Sequence, residues 1–207
     1  TGQLRYARTC TSTFPLTCAQ EGDAPTCGVA NAAGADATVP DELLDSLRSC
    51  TSCNTDNECT GCSTSPAGAG SSSDFVIFIS SVETASCSGS TLAYAGTCQR
   101  DQQDRPIFGY ANFCPSSLDA DPRAWALQLS TAVHEFVHAL GFTDGSWPLF
   151  RNADGTPMTP RESDGLPAEV TATCYDGATR NNVLAVSAST LEVATERGTT
   201  VTRIVTP

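Results

Sequence analysis

Residues 121–141 read Asp121-Pro122-Arg123-Ala124-Trp125-Ala126-Leu127-Gln128-Leu129-Ser130-Thr131-Ala132-Val133-His134-Glu135-Phe136-Val137-His138-Ala139-Leu140-Gly141. Asp121 is an N-cap residue type, and Pro122 suits the first helical position, where no partner is needed for a backbone N–H. Ala124, Trp125, Leu127, Leu129, Ala132, Val133, Phe136, Val137 and Leu140 then recur as in a helix that buries its apolar side. Gly141 supplies a left-handed cap. The stretch predicts a helix over about 121–140.

His134, Glu135 and His138 form a His-Glu-x-x-His pattern. Residues four apart lie on one helix face about a turn apart, so both imidazoles can aim a nitrogen at one zinc ion at about 2.0–2.1 Å. Glu135 is then placed as general base toward a water that the metal acidifies to a pKa of about 7, for attack on a peptide carbonyl. The alternative is an accident of two histidines on an amphipathic helix. It is weakened because these are the only two histidines of the chain, and a buried Glu beside two buried imidazoles without a metal would be costly. Gly141 fits both a plain helix cap and a sharp turn toward a third ligand. Asp144, three residues further on, is an acceptable oxygen donor, but Asp144-Gly145 is equally a turn dipeptide.

Working outward, Asp74 to Ser80 is apolar and β-branched, which predicts a strand covered on both faces. Further strands are expected at Thr91 to Thr97 and Ile107 to Phe113, joined by the polar loop Gln99 to Arg105. Ser63 to Ser73 reads as a flexible connection. Residues 1–73 are rich in Thr, Ser, Gly, Ala and Cys, with a short helix expected from Val39 to Leu47. Cys50-x-x-Cys53 and Cys59-x-x-Cys62 invite a four-thiolate zinc site, but five residues between the pairs is too few for the usual knuckle, and disulfides are favoured. After the helix come a turn-rich stretch, Asp144 to Gly165, and β-prone segments from Glu169 to Pro207.

The chain has 207 residues, 40% of them hydrophobic, and its longest apolar run, Phe75 to Ile79, is far short of the roughly 20 residues that cross a bilayer. Neither a targeting signal nor a membrane attachment is visible in it. The net charge of −12 arises from 23 acidic and 11 basic residues, all the latter Arg and none clustered; nucleic acid is excluded as a partner. Eleven cysteines point to an oxidising compartment, hence a secreted or cell-surface protein. The odd count leaves at least one cysteine without a partner in the chain.

Beyond the helix, Ser73 to Ser80, Leu92 to Gln99 and Arg105 to Cys114 resemble the corresponding stretches of the leishmanolysin family of metzincin zinc peptidases. The resemblance implies an α+β fold: a metzincin-like N-terminal subdomain with a small twisted sheet and the zinc-binding active-site helix, disulfide-rich loops, and a following β- and loop-rich insertion. Residues 1–142 would be the N-terminal catalytic subdomain and 143–207 the insertion, incomplete at its C-terminus. It implies a zinc metalloendopeptidase acting on protein or peptide substrates, with one Zn2+ held by His134, His138 and a later His, and with Glu135 as base. On this reading Asp144 is not the third ligand, and Met158 is too early to form the family's Met-turn. No later His follows, so the chain is expected to be the N-terminal part of a peptidase whose remainder supplies the third ligand and a partner for the odd cysteine. The strand Ile107 to Phe113 is a candidate edge for pairing with substrate backbone. The rival expectation is a catalytically inactive structural or adhesive surface protein derived from such a peptidase.

Overall fold

A computed structural model describes residues 3–13, 17–29, 37–56, 58–173, 177–186 and 190–204. The architecture is mixed α+β, with small sheets, one α-helix and five disulfides among the described residues. The chain divides into two compact units, residues 1–100 with 106–140, and residues 101–105 with 141–207.

In the first unit, β1 (Cys10–Thr13), β2 (Cys18–Glu21), β3 (Leu47–Cys53) and β4 (Cys59–Ser65) form a sheet in that order. The two Cys-x-x-Cys pairs face each other across the antiparallel β3–β4 hairpin, Cys50 opposite Cys62 and Cys53 opposite Cys59, and both pairs are disulfides. That register explains the short spacing between them, which suits a hairpin and not a zinc knuckle. Cys10–Cys18, Cys27–Cys98 and Cys87–Cys114 complete the bridges. The eleventh cysteine, Cys174, lies outside the described residues.

Two expectations for this part fail. The helix expected over Val39 to Leu47 reduces to a single 3-10 turn, Asp41–Leu43. Tyr6 N–H donates to the Leu43 carbonyl at 2.7 Å and Asp45 N–H to the Tyr6 carbonyl at 2.8 Å, so bonding across the chain replaces the local ladder while Val39 and Leu44 sink into the core. Nor is Ser63 to Ser73 loose. Gly68 N–H bonds Leu44 O, Gly70 N–H bonds Glu42 O, and Leu4 and Ser71 exchange a pair of backbone bonds at 2.7 and 2.9 Å. A Cβ at Gly68 would lie 2.3 Å from the Glu42 carbonyl oxygen, so the glycine permits this approach.

The second sheet holds β5 (Val76–Ser80), β6 (Ala93–Arg100) and β7 (Pro106–Phe113) in the order β5-β7-β6, with β5 parallel and β6 antiparallel to β7. β7 is therefore central, which corrects its expected place at an edge; β5 and β6 are the borders. β5 is accordingly less covered than its apolar run suggested, with Ile79 54% exposed. Phe108 is fully buried in β7 against Tyr6 (centroids 5.0 Å, edge-on) and Phe78 (6.5 Å, stacked), within a core that includes Cys27, Val39, Leu44 and Ile107.

Helix α1 (Trp125–Ala139) packs on β6 and β7. It is entered through the 3-10 turn Pro122–Ala124, where the Asp121 carboxylate accepts the Arg123 N–H at 2.8 Å. Its end is fixed to the sheet by the Thr97 hydroxyl, which donates to the Ala139 carbonyl at 3.1 Å. At Gly109 an added Cβ would meet Gly96 O at 2.9 Å and Ala139 O at 3.2 Å, so only a bare backbone admits the helix this close.

The second unit contains the 3-10 helix Asp144–Leu149 and two antiparallel ribbons, β8 (Glu169–Thr173) with β9 (Thr179–Leu184) and β10 (Leu191–Glu196) with β11 (Thr199–Ile204). The Asp104 carboxylate, from the 101–105 turn, pairs with both Arg151 and Arg161 at 2.9 Å.

Candidate metal centre

One helical turn brings the two imidazoles together. His134 Nε2 and His138 Nε2 lie 2.9 Å apart, the ring centroids 4.5 Å apart and the planes near perpendicular at 89°. Two nitrogens bound at about 2.0–2.1 Å to one tetrahedral centre would be roughly 3.3 Å apart, so a few tenths of an ångström of ring adjustment accommodates a divalent ion. The donor set fits zinc, for which neutral imidazole is a common ligand.

Glu135 is only 8% exposed. With His134 it lines an open cleft of ≈ 460 Å³ whose other walls are Ser90, Leu92 and Ala93 before and at the start of β6, and Ser130 and Thr131 of α1. The helix thus turns a carboxylate and small polar groups toward the cleft. Its large apolar residues face outward: Trp125 is 66% exposed, and Leu129, Val133, Phe136, Val137 and Leu140 are also exposed. This reverses the expectation that the apolar positions are buried. The bare backbone at Gly109 lets the sheet approach the end of the helix at Ala139, which is fully buried.

Asp144 begins its own 3-10 helix, and its carboxylate accepts the Gly145 N–H at 2.8 Å, the local bond of a turn residue. Within the first unit no third His, Cys, Asp or Glu among the described residues joins the histidine pair; the one triad of ligand-type groups, Cys50, Cys53 and Cys59, is consumed by disulfides. Sequence reasoning did not find the cleft-lining residues. Ser130 and Thr131 were within reach of it, since they stand four and three residues before His134 on one face. Ser90, Leu92 and Ala93 become neighbours only through sheet pairing.

The family model described as leishmanolysin matches residues 52–164, more than half of the chain. A leishmanolysin-like peptidase of Drosophila melanogaster is 42% identical over 129 residues, covering 61% of this chain and 19% of that protein. The leishmanolysin-like peptidase of Caenorhabditis elegans is 37% identical over 139 residues, 65% of this chain and 20% of the relative. A ciliated left-right organizer metallopeptidase of Mus musculus is 29% identical over 109 residues, 51% of this chain and 16% of that protein. The matched part of the chain thus spans about a fifth of the length of these relatives. No solved structure matches the chain.

Proposed function

Because the chain belongs to the leishmanolysin family of peptidases, we propose that it carries the zinc-binding half of a metalloendopeptidase site, with His134 and His138 as zinc ligands and Glu135 as general base. The observation that carries this reading is the convergence of the two Nε2 atoms at 2.9 Å beside a buried carboxylate that opens on a cleft. When bound, zinc supplies a Lewis acid that polarises a carbonyl oxygen and acidifies water toward a pKa of about 7. Glu135 takes the proton of the attacking water on a carboxylate oxygen and returns it to the departing amine nitrogen. Substrate backbone pairs along the free edge of β6, whose first residue, Ala93, lines the cleft.

On this reading residues 1–142 form a metzincin-like N-terminal subdomain and 143–207 an insertion, and the third ligand comes from polypeptide outside these 207 residues. Protein or peptide substrates follow from the family. Five disulfides favour an oxidising compartment, so the protein is assigned to the cell surface or the extracellular space. Among the described residues no helix is long and apolar enough to cross a membrane.

The test is metal analysis of the full-length protein with activity on a denatured protein substrate. One zinc per molecule, lost in His134→Ala and retained in Glu135→Ala while cleavage falls at least about a hundredfold, is the expected result. Zinc-free protein without cleavage would leave the inactive structural or adhesive protein as the better account, and undiminished cleavage by Glu135→Ala would overturn the assignment of Glu135 as the base.

A further inference from the structure

The described disulfides differ in how far solvent reaches them. Cys62 is the one exposed cysteine among them, whereas its partner Cys50 is 1% exposed. Toward the hairpin tip the Cys50 sulfur is neighboured by the Cys53–Cys59 bridge, whose sulfurs lie within 4.8 Å of it. Arg48 stands two residues before Cys50 on β3, diagonal to Cys62 across the ladder, and its Nη2 donates to Cys62 Sγ at 3.1 Å. A single bridge thus joins an exposed sulfur beside a cation to a sulfur enclosed in the protein.

We infer that Cys50–Cys62 is a site of dithiol–disulfide exchange, in which Cys62 is the sulfur attacked by an incoming thiolate and Cys50 is the buried thiol that closes the bridge again. Its reactant is a dithiol. The inference does not rest on the peptidase reading.

A guanidinium beside a sulfur favours the thiolate over the thiol, and enclosure away from water favours the thiol over the thiolate. The pair therefore reduces to one anion, on Cys62, and one neutral thiol, on Cys50. Access decides which sulfur is attacked first. The thiolate of the dithiol, drawn by Arg48, bonds to Cys62 Sγ, and the Cys50 sulfur departs with the electron pair of the broken S–S bond. Cys50 takes the proton of the reagent's second thiol, directly or through water. The second thiolate so formed displaces Cys62 from the mixed disulfide, and Cys62 leaves as a thiolate beside Arg48. The reagent ends as a disulfide, and the bridge has gained two electrons and one proton. Cys53–Cys59 holds β3 and β4 in register throughout. Cys50 and Cys62 stay opposite each other, so reoxidation requires no loop closure.

The experiment treats the full-length protein at neutral pH with a small molar excess of dithiothreitol, traps the thiols by alkylation and maps them by mass spectrometry. Cys50 and Cys62 are expected to be labelled at least about tenfold faster than the cysteines of the other four described bridges. With glutathione, a monothiol, the mixed disulfide is expected on Cys62 and not on Cys50. In the protein reduced at this bridge, Arg48→Gln should raise the pH midpoint of Cys62 alkylation by about one unit or more, and Arg48→Lys should restore it. A purely structural bridge would not respond in that way. Reduction of Cys53–Cys59 first, glutathione on Cys50, or a midpoint indifferent to Arg48→Gln would overturn the site. The order of reduction is read on the unaltered protein, so the inference stays open to refutation even where a variant misfolds.

Discussion

The first unit buries Tyr6, Val39, Leu44, Ile107 and Phe108 and contains all five described disulfides, whereas the second buries Ser146, Leu149, Thr159 and Thr190 around hydrogen-bonded turns. Both are poor in long apolar runs. A segment made mostly of Thr, Ser, Gly and Ala cannot bury enough surface to offset the entropy of ordering, so it needs another constraint. In the first unit that constraint is covalent and feeds an aromatic core; in the second it is polar, centred on Asp104 between two guanidinium groups. Arg161 shows what this costs, since its Nε and Nη1 are buried without a partner.

The largest test of this contrast removes the longest crosslink. Cys27–Cys98 closes a loop of sequence separation 71, and its replacement by two alanines should cost the first unit about 4 kcal/mol, against about 2 kcal/mol for Cys53–Cys59 with a separation of 6. Urea denaturation measures both, and equal losses would break the loop-length account. Asp104→Ala should destabilise the second unit by roughly 1–3 kcal/mol, because it leaves two partly buried cations uncompensated. Hydrogen exchange over residues 145–165 should quicken while the Phe108 region stays protected.

A smaller effect concerns solubility. Trp125→Ser with Val133→Gln and Leu140→Gln removes exposed apolar surface from α1, and should lower self-association of the isolated chain in light scattering with little change in stability. The smallest concerns acid. The Glu21 carboxyl is held below its ordinary pKa first by the Ser65 hydroxyl and then by Arg8. Its contribution to stability is therefore fully present above the unfolded carboxyl value and is lost as pH falls through the lower folded one. Glu21→Gln should remove that part of the pH dependence on the acid side and leave the neutral range flat.

The helix and the three strands of the second sheet were legible because each carries its own pattern: the 3.6-residue period ending at Gly141, and β-branched or aromatic runs at Val76 to Ser80 and Ile107 to Phe113. That the two Cys-x-x-Cys pairs form disulfides and not a zinc site was legible from their short spacing and the cysteine-rich composition, but the cross-strand pairing was not. What escaped was set by partners distant in sequence. β1 and β2 have almost no apolar signal and exist through pairing with each other and with β3. Leu43 to Asp45 look helical until Tyr6 takes the Leu43 carbonyl and the Asp45 N–H, and Gly68 takes the Leu44 carbonyl. The facing of α1 was misread because its apolar side dominates the sequence pattern, while the side that meets the sheet is chosen by the bare backbone at Gly109 and by Thr97. At the candidate site, the spacing of His134, Glu135 and His138 was visible, but the Ser90 to Ala93 wall was not.

The two cross-strand bridges of the β3–β4 hairpin alter what proteolysis can reveal. Thr55 and Asp56 at its tip are exposed and open to cutting. A cut there would separate no fragments, because Cys53–Cys59 and Cys50–Cys62 still tie the two arms together a few residues below. Nicked and intact molecules would migrate together on a non-reducing gel and part only after thiol treatment. A preparation that looks homogeneous when oxidised can therefore contain two covalent forms.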